Sequence, residues 1–128
     1  MAGTLVIDTL KSSTANPPTV QNTSGTEIGT FCRAWVNFNG VTTAAIRASF
    51  NVSSVVRNST GDYTVNFTNS LPDANYSVPV SAGGSSANYY AVTLDQLTAR
   101  TASAVRIGIY YSGTGYFDSA QVNISVFR

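Results

Sequence analysis

The chain has 128 residues, of which 10% are charged, with a net charge of +1 and no histidine. That length suits one domain able to bury a core unaided, and a 43% hydrophobic fraction rich in Tyr and Phe argues against disorder. No Lys or Arg cluster provides the footprint of a nucleic-acid binder, and no apolar run approaches the ~20 residues of a helical membrane span.

The opening, MAGTLVIDTLK, lacks a basic segment followed by an apolar run, so no secretory signal is expected. Within it, TLVIDTL at 4–10 reads as a short strand. KSSTANPPTVQNTSGTEIGT, from 11 to 30, has no period of either kind and carries Pro17 and Pro18 side by side. Adjacent prolines favour extended chain. An unstructured stretch of this length is uncommon inside a compact domain. Residues 1–30 are therefore expected to form an extended N-terminal arm, either a flexible tail or an arm ordered on another subunit.

From Phe31 the period is two. In TFCRAWVNFNG, Cys32, Ala34, Val36 and Phe38 share one side, and Phe31, Arg33, Trp35 and Asn37 the other. AAIRASFNV aligns Ile46, Ala48, Phe50 and Val52. The turn text RNSTGD leads into DYTVNFT, with Tyr63, Val65 and Phe67 in phase. YSVPVS contains Pro79, which has no amide to donate, and so reads as an edge strand. SAGGSSANYY is loop text before YYAVTL, and DQLTARTAS is the best helical candidate, too short to matter. AVRIGIYY aligns Val105, Ile107, Ile109 and Tyr111, and AQVNISVFR aligns Val122, Ile124 and Val126. Short alternating runs between Gly, Asn, Asp, Ser and Pro turns predict an all-β fold over 31–128. The expected form is an antiparallel, meander-like β-sandwich, jelly-roll-like in outline, of seven to nine strands.

The chemistry of common enzymes is missing. Without histidine there is no usual general base and no commonest zinc ligand. Cys32 lies in phase with Ala34 and Val36, as a small buried hydrophobe would, and as a single thiol it forms no internal disulfide. The acids Asp62, Asp73 and Asp118 sit in turn text, where Asp ordinarily bonds the nearby backbone. No calcium-loop spacing occurs, and the glycine pairs precede no helix able to hold phosphate. Sequons at Asn22, Asn51, Asn58, Asn66, Asn75 and Asn123 follow from an Asn- and Thr-rich composition. Neither catalysis nor a cofactor is expected.

Aromatic and small polar surface stands in its place. Tyr89–Tyr90, Tyr110–Tyr111 and Tyr116–Phe117 are consecutive, so a strand sends one ring of each pair away from its core. Loops of the same chain can cover those rings, or they can contact another chain or a ligand. Tyrosine with Ser, Asn and Gly is the composition of adaptable recognition surfaces. Tyr89, Tyr90, Tyr110, Tyr111 and Tyr116 are the candidate ligand contacts.

Three stretches, GTFCRAWVNFNG, IRASFNVSSVVRNSTGDYTVNFTNSLPDANYSV and FDSAQVNISVFR, occur in that order. Together they resemble a module of tailed-bacteriophage tail fibre and virion structural proteins, found in marine and T7-like phages. The likeness covers about residues 29–128, and the leader before it is also similar. One departure is Ser59, where a glycine is common. The resemblance implies a non-enzymatic, β-rich virion protein, a homotrimer with a host-contacting surface. A tail fibre or receptor-binding tip contacting host surface polysaccharide is the first expectation. A capsid or tail decoration protein without ligand is the second. In either, Trp35, Phe31, Pro17, Pro18 and Val20 are the expected subunit interface, with Val36 and Phe38 facing the core and Trp35 facing a neighbour, the arm or loops of its own chain.

Overall fold

The computed structural model describes residues 3–14, 17–83, 91–95, 100–111 and 115–128, with 91–95 and Tyr111 described by their backbone. Every strand pairing among them is antiparallel. The chain divides into two compact units, Met1–Phe31 and Cys32–Arg128.

The first unit departs from expectation twice. TLVIDTL forms no strand, and Leu5, Val6, Ile7 and Leu10 are exposed. Alternation supplies a strand's side chains but not the partner ladder that holds a strand together. The aperiodic stretch after it does contain a hairpin, β1 (Val20–Gln21) with β2 (Glu27–Gly29). Its cause is turn chemistry. Asn22 Oδ1 accepts the amides of Ser24 and Thr26 at 3.0 and 2.9 Å, and Gly25 takes a φ of 78°.

The second unit is a β-sandwich of nine strands among the described residues. One sheet runs β4 (Ala45–Phe50), β3 (Cys32–Asn39), β11 (Gln121–Phe127), β7 (Val80–Gly83). The other places β5 (Val52–Ser59) beside β6 (Asp62–Phe67) and β6 beside β9 (Ala104–Tyr111). β9 also pairs with β8 (Ala91–Asp95) and with the short β10 (Gly115–Tyr116).

Ala34, Val36, Phe38, Val122, Ile124 and Val126 of the first sheet are buried with Tyr63, Val65, Phe67, Val105, Ile107 and Ile109 of the second. Phe38 meets Tyr63 edge-to-face at 5.2 Å, and Phe67 meets Tyr76 likewise at 6.0 Å. Each such contact contributes about 1 kcal/mol beyond the area it buries.

The chain crosses between sheets at Asn51, a non-glycine residue at φ 55°. Its amide group donates to the carbonyls of Arg33 and Asn69 at 3.0 and 3.1 Å, and Oδ1 accepts Asn69 N–H at 2.8 Å. These bonds compensate for the left-handed backbone. They also break the predicted phase. Ile46 and Phe50 are exposed while Val52 packs against the core. Two further expectations have structural counterparts. The β5–β6 turn closes on Gly61 at φ 67°. Pro79 lies just before edge strand β7, its carbonyl accepting Ser125 N–H at 3.1 Å. No helix occurs among the described residues, which include 95 and 100–103 of DQLTARTAS.

Candidate functional site

Alternation places Tyr110 on the outer face of β9, because Val105, Ile107 and Ile109 are turned inward. β10 pairs Tyr116 directly opposite it. The two rings meet edge-to-face, with centroids 5.5 Å apart and planes at 83°. Gly115, at φ 93°, supplies the backbone conformation from which Tyr116 is presented. Tyr116 remains 40% exposed.

On the same outer face, Arg106 holds Asp62 in a two-point ion pair, Nε to Oδ1 at 2.8 Å and Nη2 to Oδ2 at 2.5 Å. Asn58 then donates to Asp62 Oδ1 at 3.1 Å and to Thr64 Oγ1 at 2.9 Å. The Asp62 carboxyl is held below its usual range, first by the Arg106 hydrogen bond and against the opposing effect of burial. The Arg106 guanidinium is held above its usual value by the same bond, with smaller electrostatic contributions from Asp62 and Tyr116. The result is an aromatic pair beside a charge-compensated row of fixed donors and acceptors. Such a surface can stack against a flat apolar face and bond hydroxyls around it.

A second polar cluster closes one end of the sandwich. Asp118 accepts Arg57 Nη2 at 2.7 Å, Gly61 N–H at 2.8 Å and the Tyr63 hydroxyl at 2.8 Å. Buried Ser119 lies beside it, its hydroxyl within reach of the carbonyls of Gly83 at 2.5 Å and Gln121 at 2.9 Å. Burial pushes the Asp118 carboxyl up, but Arg57, Gly61 N–H and Tyr63 outweigh it and leave it below the usual range. This cluster ties the β5–β6 turn to the segment before β11. Catalytic acids need a carboxyl pushed up towards neutral pH. Asp62, Asp73 and Asp118 are all shifted the other way. Among the described residues, no group of three or more His, Cys, Asp or Glu is placed to hold a metal.

Of the candidate ligand contacts, Tyr110 and Tyr116 come together, Tyr89 and Tyr90 lie outside the described residues, and so does the side chain of Tyr111. Among the expected interface residues, Trp35 is 39% exposed on the outer side of β3, while Val36 and Phe38 are buried. Phe50 stands opposite Trp35 on β4 and is 55% exposed. Phe31 and Val20 are exposed, and Pro17 and Pro18 are half-buried.

Sequence reasoning missed Asn58, Asp62, Arg106 and Phe50. The signal for two of them was present: Asp62 and Arg106 precede the buried Tyr63 and Ile107 and so fall in the outward phase. The signal for Phe50 was hidden by the crossing at Asn51. Comparison with protein-family models, with curated proteins and with solved structures found no match to this chain.

Proposed function

We propose that this protein is a phage virion structural protein, a tail fibre or receptor-binding tip, whose outer β9–β10 face attaches to host surface polysaccharide. The observation that carries the reading is the Tyr110–Tyr116 pair set beside the Arg106–Asp62–Asn58 row. Pyranose rings present an axial C–H face that stacks on aromatic rings, and their hydroxyls match planar amide and carboxylate groups. The row is internally neutralised, which favours an uncharged sugar face over a phosphate or a strongly acidic chain. The resemblance to phage fibre modules supplies the biological setting, and the lack of histidine throughout the chain favours binding over catalysis.

The test is attachment of the purified chain to host cells, compared with Tyr110→Ala and Tyr116→Ala. One ring offers its face to a sugar while the other, edge-on, holds it in place, so either change should reduce attachment about tenfold, equivalent to about 1.4 kcal/mol. Attachment that survives both substitutions refutes the assignment to this face.

A second reading, a decoration protein that clamps neighbouring virion subunits, is favoured by the exposed Leu5, Val6, Ile7 and Leu10 of the first unit. Copy number in purified particles separates the two. Tail appendages number a few to tens, and a capsid coat numbers hundreds.

A further inference from the structure

β4 is the terminal strand of its sheet and pairs only with β3 among the described residues. All six of its residues are exposed. An open edge of this kind presents a row of backbone donors and acceptors to any other extended chain. Natural edges are usually blunted by lysine, proline or inward charge. β4, with sequence AIRASF, carries Arg47 alone. The register of β4 on β3 shifts once, between Asn37 and Phe38, and the half from Ala48 to Phe50 stays regular. Phe50 and Trp35 lie side by side along this edge, with their outer surfaces open.

The same chain holds a segment that fits this edge. Residues 4–10, TLVIDTL, have the composition and alternation of a strand, yet form none, and Leu5, Val6, Ile7 and Leu10 are left in solvent. In an extended conformation Leu5 and Ile7 fall on one side, and Val6, Asp8 and Leu10 on the other. On a strand added to this edge by another copy, Leu5 and Ile7 would continue the apolar strip that Trp35 and Phe50 begin. Arg47, skipped by the register shift between Ala48 and Ile46, is the one cation on this strand. The Arg47 guanidinium gives one bond, Nη2 to the Ala120 carbonyl at 2.7 Å, and has other donors for a carboxylate.

We infer that residues 4–10 of one copy add to the free edge of β4 in a second copy, building the assembly by strand donation. Main-chain bonds supply the affinity, while Asp8 against Arg47 and the Leu5–Ile7 side against Phe50 set orientation and register. The inference is independent of the saccharide reading, because it involves the other sheet and needs no ligand.

The test is sedimentation of the full chain over a range of concentrations, with hydrogen exchange of the β4 amides followed in parallel. Self-association, and protection at 45–50 that rises with concentration, are expected. Ile7→Pro removes an amide donor and fixes φ in a segment outside the sandwich, so it should weaken association about tenfold or more while the thermal unfolding of the sandwich is unchanged. Asp8→Arg and Arg47→Asp should each weaken association, and the double exchange should restore it. A chain that stays monomeric at every concentration overturns the inference. So does an oligomer indifferent to Ile7→Pro, or β4 protection independent of concentration, which would place the segment on its own copy.

Discussion

The Tyr63 hydroxyl and the Asp118 carboxylate meet at 2.8 Å, joining a strand of the core to the segment that precedes β11. The same hydroxyl lies 3.0 Å from the Gly40 carbonyl, so three separated parts of the chain converge on one oxygen. Close packing enforces the convergence. A Cβ added at Gly40 would come within 2.7 Å of the Tyr63 ring and 3.0 Å of the Ser119 carbonyl.

Burial first, and then the Asp118 hydrogen bond, push the Tyr63 hydroxyl well above the ordinary tyrosine value. A raised value in the folded state leaves stability constant below the unfolded value, about 10, and lost above it as the unfolded chain ionises more readily. Denaturant midpoints should therefore fall as pH rises past about 10. In Tyr63→Phe that alkaline slope should be shallower, with about 1 kcal/mol less stability at neutral pH. Parallel slopes in the two proteins would show that Tyr63 is not the group responsible.

The acid limb has the opposite sign. Asp118, Asp62 and Asp73 are all held below the ordinary carboxylate value, Asp73 at about 2 by Arg128. Their contribution is complete above the unfolded value, about 4, and is lost as pH falls through the lower folded values. Asp118→Asn should lower stability at neutral pH, because Arg57, Gly61 N–H and the Tyr63 hydroxyl lose their charged acceptor. It should also flatten the decline between pH 4 and pH 2. Urea unfolding at a series of pH values measures both effects.

Asn51 allows backbone and side-chain contributions to be separated. Asn51→Gly keeps the left-handed conformation at little steric cost but loses the bonds to Arg33 and Asn69. Asn51→Ala loses the bonds and adds the strain. Alanine should therefore be less stable than glycine by about 1 kcal/mol. Thermal unfolding of the pair decides it, and equal stabilities would mean the crossing backbone relaxes.

Alternation alone located the core. Ala34, Val36 and Phe38, Tyr63, Val65 and Phe67, Val105, Ile107 and Ile109 of β9, and Val122, Ile124 and Val126 of β11 are turned inward as their phases required. What it could not locate depended on partners distant in sequence. TLVIDTL alternates yet forms no strand. Ile46 and Phe50 alternate in phase with Val52 but belong to a different sheet, because Asn51 turns the chain between them. Arg57, in line with the inward Tyr63, is accommodated only because Asp118 arrives from sixty-one residues away. In the candidate site, the tyrosines were legible as doubled aromatics. The outward phase of Asp62 and Arg106 was legible too, but not that they meet each other and Asn58, since the pairings that assemble them join β5, β6 and β9.

The most direct measurement is an NMR titration of the full chain with purified host surface polysaccharide, following backbone amides and tyrosine ring resonances. Shifts concentrated on Tyr110, Tyr116, Arg106 and Asn58, and absent when Tyr116→Ala is titrated, are the expected result. Shifts that centre on another surface, or resonances that do not move at saturating polysaccharide, would contradict attachment through the β9–β10 face.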